Sequence, residues 1–238
     1  MEIGLNRPPA NALTTELLVR LLEAHARAAR GGARAVILTG RPGMFSGGLD
    51  VPALLPLPRA GIMEFWRAFF ELMRTLVASP FPVLAAISGH APAGGAVLAI
   101  HCDYRIAARG TFKIGLNEVA VGLPVPDAIM RSLEFVVGAR AAQRLAMMAR
   151  LLGMEEAREC GLVDELAGPE ELMDIARQRA AELLALPPAA MNRTRLVARA
   201  GLAADLQPDS HARLATDLWF SAETQAGMRA LVERLSKK

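Results

Sequence analysis

The turn Pro92-Ala93-Gly94-Gly95 opens straight into an apolar run, and Glu118 stands in the apolar setting Ile114-Gly115-Leu116-Asn117-Glu118-Val119. Glycines at a helix start leave backbone N–H groups free to point at a developing negative charge, and the helix dipole adds to the attraction. A glutamate among apolar neighbours has its pKa raised toward the range in which one carboxylate can both take up and return a proton. The pair reads as a hole for an anion beside a single acid/base. The structural alternative for Glu118 is an arginine partner or a turn cap. A second glycine-rich loop, Phe45-Ser46-Gly47-Gly48-Leu49-Asp50, is an ordinary turn when read alone, because Gly and Asp favour turns. Beside the later turn it offers a second backbone donor for one oxyanion, the arrangement that enolate or tetrahedral intermediates need.

Other chemistries lack their residues. There is no GxGxxG and no GxxxxGK followed by Ser or Thr, and Ser46 in Gly43-Met44-Phe45-Ser46-Gly47 is not the serine of a GxSxG elbow. His25, His90, His101 and His211 share no ligand spacing, so no metal site is expected. Cys102 and Cys160 are the two cysteines, without CxxC spacing, which argues against a disulfide framework or a thiolate zinc site. The net charge of +3 is spread over arginines such as Arg20, Arg27, Arg131, Arg140, Arg144 and Arg150 with no dense basic run, so nucleic acid is not an expected partner. No stretch approaches the roughly 18 apolar residues of a membrane span. Met1-Glu2-Ile3-Gly4 carries no basic flank followed by an apolar stretch. The expected setting is cytoplasmic, or the mitochondrial matrix if the source is eukaryotic.

The elements that must position these groups are legible in the hydrophobic pattern. At 238 residues with 53% hydrophobic content, the chain is long enough for a full core. Thr14 or Thr15 caps a helix carrying Leu17, Leu18, Leu21 and Leu22 that ends at Gly31-Gly32. Ala35-Val36-Ile37-Leu38-Thr39 and Val83-Leu84-Ala85-Ala86-Ile87 are continuously apolar, as buried parallel strands are. Between them, Ile62, Phe65, Trp66, Phe69, Leu72, Met73 and Leu76 keep helical spacing until Pro80 and Pro82. Tyr104 to Ala107 and Thr111 to Ile114 read as short strands, and the pattern from Pro126 onward is almost wholly helical. The alternation predicts an α/β fold with a largely parallel sheet, with both glycine-rich loops following strand ends where such sheets build their sites.

Taken together, these residues resemble the crotonase (enoyl-CoA hydratase/isomerase) superfamily, over nearly the whole chain. Asn6-Arg7-Pro8-Pro9-Ala10-Asn11-Ala12-Leu13 is similar to the family's opening motif, Phe45 to Asp50 to its first oxyanion loop, Gly89 to Gly95 to its second, and Cys102 to Ala107 to the strand that follows. Arg41 to Asp50, Pro92 to Gly95 and Ile114 to Glu118 are similar to the mitochondrial-type 3,2-trans-enoyl-CoA isomerases. The resemblance implies a crotonase-like spiral of ββα units over residues 1–186 and a C-terminal helical trimerisation segment over 187–238. It implies an acyl-CoA thioester substrate with no separate cofactor, CoA being part of the substrate, and a homotrimer or dimer of trimers. The donors would be the N–H groups of Leu49 and Gly94, the acid/base Glu118, and the substrate-binding residues Gly47, Gly48, Asp50, Ala12 and Asp127. Hydratases of the superfamily carry a second glutamate three positions after the donor glycine, where this chain has Val97. Isomerisation of 3-enoyl-CoA to 2-trans-enoyl-CoA in fatty-acid β-oxidation is therefore expected ahead of hydration.

Alternatives remain at that point: hydration or another acyl-CoA reaction by Glu118 with Asp127, or a catalytically silent binding subunit. Asp127 has a plainer reading as a first-turn residue after Pro126. CoA phosphates have candidate partners in Arg7, Lys237 and Lys238, and Trp219 and Phe220 are candidate contact or core residues. The opening motif comes so early in the sequence, where relatives usually carry an earlier strand, that the first hairpin is expected to be shortened, with more effect on the sheet edge than on catalysis.

Overall fold

The architecture is that of a computed structural model describing residues 1–237. It opens with β1 (Glu2–Gly4), α1 (Thr15–Arg30), β2 (Val36–Thr39), β3 (Gly43–Met44), α2 (Val51–Leu54) and α3 (Arg59–Val77). Next come β4 (Val83–Ile87), β5 (Gly89–Pro92), α4 (Gly94–Ile100), β6 (Tyr104–Ala108), β7 (Lys113–Gly115), a 3-10 turn (Glu118–Val121), α5 (Asp127–Val137) and α6 (Ala139–Met147). The remainder is β8 (Leu152–Gly153), α7 (Met154–Glu159), β9 (Glu165–Ala167), α8 (Leu172–Ala185), α9 (Pro188–Ala198), α10 (Ala200–Asp205), α11 (Pro208–Trp219) and α12 (Ala222–Ser236).

One sheet has the order β1-β2-β4-β6-β9, the other β3-β5-β7-β8. All pairings are parallel except β7 with β8. A strand of the first sheet runs directly into one of the second, as β4 passes through the single residue Ser88 into β5, and a helix then returns the chain. Repetition of that unit through β2-β3, β4-β5 and β6-β7 produces the spiral. The glycine-rich segments read as loops thus contain β3 and β5, and the C-terminal part read as helical contains β8 and β9. These strands are two to four residues long, too short to leave a period in the sequence.

The first sheet is covered on both faces, which is why its strands are apolar throughout. Val83, Ala85 and Ile87 of β4 join the main core with α1 and α3, while Leu84 and Ala86 face a smaller cluster with Ala176 and Ala180 of α8. α1 starts where the Thr14 hydroxyl accepts from Leu17 N–H and buries Leu18, Leu21, Ala24, His25 and Ala28 on one stripe. The C-terminal helices are tied to this body by Asp103, whose carboxylate accepts from Val83 N–H at 2.8 Å and pairs with Arg195 at 3.2 Å and Arg199 at 2.5 Å.

α3 carries an aromatic seam, Phe65, Trp66, Phe69 and Phe70, and α11 closes on it with Trp219. Trp66 and Trp219 meet edge to face at 6.4 Å, and Trp219 is fully buried; Phe220 is partly exposed. Trp219→Ala is expected to lower unfolding stability by about 3–5 kcal/mol in denaturant titration, the range for truncating a large core aromatic. A loss below about 1 kcal/mol would place α11 outside the cooperative core. Among the described residues no helix is long and apolar enough to cross a membrane, and no group of three His, Cys, Asp or Glu is placed to hold a metal ion.

Candidate active site

The first glycine-rich loop is stitched to the opening motif. Gly47 N–H donates to Ala10 O at 2.8 Å, the Ser46 hydroxyl to Asn11 O at 2.9 Å, and Asn11 Nδ2 to Phe45 O at 3.1 Å. Leu13 and Leu49 form an isolated parallel bridge. Leu13 N–H donates to Gly48 O at 2.7 Å and Asp50 N–H to Leu13 O at 3.0 Å. Both bonds flank Leu49 and leave its own N–H unspent. Gly48 has φ +84, a conformation that disfavours any side chain.

The second loop lies against the first. A Cβ on Gly95 would sit 2.4 Å from Ser46 O, so only glycine permits that approach. Ala93 holds φ 47 and ψ −120, a backbone state that costs about 1–3 kcal/mol and persists where the surroundings over-determine it. Its N–H donates to Gly115 O at 2.8 Å and its carbonyl accepts from Val97 N–H at 3.0 Å. That twist begins α4 at Gly94 with a free N–H. Among the described residues, neither Leu49 N–H nor Gly94 N–H donates to a protein group.

Glu118 begins the 3-10 turn, 8% exposed, and its Oε2 has no hydrogen-bond partner among the described residues. Burial pushes its pKa up to about 7, opposed only by a backbone hydrogen bond. None of the ion pairs among the described residues involves it. Glu118 faces a cavity of about 710 Å³ whose wall includes Leu49, Ala93, Val97 and Asn117. Trp66, Phe69, Leu123, Ile129, Met228 and Leu231 also line it, as do basic Arg234 and Lys237. Glu118 is the sole carboxylate of that wall among the described residues.

Not all residues singled out in the sequence meet there. Gly47 is in the wall, whereas Gly48 backs it against Gly94, with Gly48 Cα 3.3 Å from the place a Gly94 Cβ would take. Asp50 accepts from Ala53 N–H at 3.0 Å, capping α2, and pairs with Arg7 at 2.6 Å. Arg7 also reaches Ala12 O at 3.3 Å, so Arg7, Ala12 and Asp50 form a brace outside the cavity wall. Asp127 is exposed on the first turn of α5, outside the wall, although its neighbour Pro126 is in it. An N-terminal carboxylate is favoured there by the helix dipole. Lys237 lines the cavity, while Lys238 lies outside the described residues. Sequence reasoning did not find Asn117, Trp66 or the α12 residues as wall. The signal of Trp66 and of α12 was helical spacing, which says what is buried but not against what, and Asn117 carried only its place beside Glu118.

Leu49 is in the wall, and Gly94 lies just behind its wall neighbour Ala93. A single carboxyl in a mostly apolar wall, with two unspent amide N–H groups on the adjoining loops, can move a proton on carbon next to a carbonyl while holding the oxyanion that results. Known proteins with this architecture carry related names. The family model described as enoyl-CoA hydratase/isomerase matches residues 1–238. The human mitochondrial enoyl-CoA delta isomerase 1 is 33% identical over 97% of this chain and 78% of its own. A Thermus thermophilus protein named putative enoyl-CoA hydratase is 32% identical over 98% of this chain and 94% of its own. The crystal structure of human mitochondrial delta3-delta2-enoyl-CoA isomerase matches with a TM-score of 0.95 at 32% identity, covering 99% of this chain and 93% of that one. With a crotonase-like fold and a family model spanning all of its residues, this chain belongs to the enoyl-CoA hydratase/isomerase family.

Proposed function

We propose that the protein isomerises 3-enoyl-CoA to 2-trans-enoyl-CoA in fatty-acid β-oxidation, through a single-glutamate proton shuttle. The observation that carries this reading is the lone carboxylate: Glu118 is in the cavity wall and Val97, 2% exposed, stands on the same wall where a second carboxylate would be needed to activate water. Glu118 as carboxylate takes a proton from C2 of the 3-enoyl thioester. The electron pair moves onto the thioester oxygen, which lies between the N–H groups of Leu49 and Gly94. Glu118 then returns that proton at C4 as the double bond settles between C2 and C3. The reaction is balanced with no cofactor. The apolar inner wall takes the acyl chain, and Arg234 and Lys237 supply the positive charge that suits CoA phosphates. The assembly is a homotrimer or a dimer of trimers, formed through the terminal helices.

Purified protein is expected to convert 3-enoyl-CoA into the conjugated 2-trans-enoyl-CoA, seen by its ultraviolet absorbance, without added cofactor. Brisk hydration of 2-enoyl-CoA with no isomer formed would overturn the reading. The working base must be ionised, so kcat/KM is expected to climb tenfold per unit at acid pH and level off above about 7, where the Glu118 carboxyl titrates. A rate already level from about pH 5, as an ordinary carboxylate would give, would remove buried Glu118 as the base.

A further inference from the structure

The turn that carries Glu118 is gripped by a helix more than a hundred residues later in the chain. Thr224, fully buried in the first turn of α12, donates from its hydroxyl to Gly122 O at 2.6 Å. Its rotamer is fixed by the α12 cap: Ser221 Oγ donates to Thr224 Oγ1 at 2.9 Å and accepts from Thr224 N–H at 3.2 Å. One turn on, α12 comes so close that a Cβ on Gly227 would lie 2.2 Å from Val121 O and 2.6 Å from Val121 C. From the other side, a Cβ on Gly122, which has φ +72, would lie 2.9 Å from Glu223 O. Two consecutive carbonyls at the end of the turn thus meet α12, that of Val121 against the Gly227 backbone and that of Gly122 against the Thr224 hydroxyl. Gly122 N–H donates to Val119 O at 3.1 Å and Leu123 N–H to Glu118 O at 3.2 Å, so the grip passes to the backbone of Glu118 itself. The next α12 residue, Met228, is buried in the cavity wall that Glu118 faces.

We infer that Thr224 and Gly227 are positioning residues for Glu118: α12 sets where its carboxyl points and keeps water from it, through the carbonyls of Val121 and Gly122. This rests on Glu118 being the working group of the proposed function. The charged groups sharing the cavity with Glu118 are Arg234 of α12 and Lys237 just past its end, and Glu223 of α12 borders Gly122. A Cβ at position 227 must push α12 and the turn apart, which moves the carboxyl and admits solvent.

Gly227→Ala, Thr224→Val and Thr224→Ser test this. Thermal melting reports folding, steady-state kinetics give kcat and KM separately, and the carboxyl C=O infrared band, with Glu118→Gln as the subtraction reference, gives the Glu118 titration directly. Gly227→Ala and Thr224→Val are expected to lower kcat by roughly 10- to 100-fold with KM changed little, as misplacement of a reacting group does. The titration midpoint should fall from about 7 toward 4.5, because the carboxyl becomes hydrated. Thr224→Ser keeps the hydroxyl and should restore both. The near-isosteric Thr224→Val serves if Gly227→Ala does not fold. The infrared titration needs no turnover, so a wrong substrate assignment silences the kinetics alone. A folded variant with lower Tm and an unmoved titration midpoint would make the contact merely structural and overturn the inference.

Discussion

Glu118→Gln lowers kcat for isomerisation by about 10³- to 10⁴-fold and, above neutral pH, raises thermal stability. The rate loss follows from the chemistry: glutamine has nearly the same shape but cannot accept the C2 proton, and general acid–base steps contribute on this scale. No other carboxylate in the described cavity wall can substitute, since Asp127 faces outward and Val97 cannot ionise. The stability gain follows from linkage. In the native protein burial raises the Glu118 carboxyl from 4.5 to about 7, and at about 1.4 kcal/mol per unit this amounts to roughly 3 kcal/mol. As pH rises from 4.5 to 7 the unfolded chain loses its proton first, so the native state binds more protons and stability falls across that window. Above it the deficit is complete. Glutamine is neutral throughout, so its advantage should be small at about pH 5 and full at about pH 8, a Tm difference of several degrees by calorimetry. An unchanged kcat would take Glu118 out of proton transfer. A Tm difference independent of pH would mean that burial of the ionised carboxyl is not what it relieves.

Why Glu118 was visible in the sequence, and the place of α12 in the cavity wall was not, has a physical explanation. A carboxylate between Leu116 and Val119 is anomalous for burial wherever the chain folds, so residue type alone flags it. α1 and α3 were legible because their apolar stripes repeat over many turns, and β2 and β4 because both faces of their sheet are covered. β3 and β5 were not, since Gly43, Gly89 and Pro92 are poor strand formers and pair only because the spiral brings the two segments together. The glycine loops exposed the donors by composition, but the twist that frees Gly94 N–H belongs to Ala93, an ordinary residue in the sequence. Asp127 and Pro126 are neighbours in sequence, yet only Pro126 is in the wall, a distinction set by where the extended chain turns into α5. Contacts such as that of Thr224 with Gly122 are long range and leave no local pattern.

The oxyanion donors carry the second large effect, and their geometry permits a clean separation of catalysis from stability. Replacing Leu49 by its α-hydroxy acid turns its amide into an ester and removes one N–H without altering a side chain. That N–H has no partner among the described residues, because the bridge to Leu13 runs through Gly48 O and Asp50 N–H. The ester makes Gly48 C=O a weaker acceptor for Leu13 N–H, a loss of under about 1 kcal/mol. The rate is expected to fall by about 10²- to 10³-fold, the effect of removing one oxyanion donor. The loss should appear in kcat with KM nearly unchanged, since the donor is needed most when charge has moved onto the thioester oxygen. The same replacement at Asp50 removes an N–H that donates to Leu13 O at 3.0 Å. There a stability loss of about 1 kcal/mol with a much smaller rate effect is expected. Equal rate losses at both positions would point to damage of the loop as a whole. No rate loss at Leu49 would leave Gly94 to hold the enolate alone and remove the first glycine-rich loop from the chemistry.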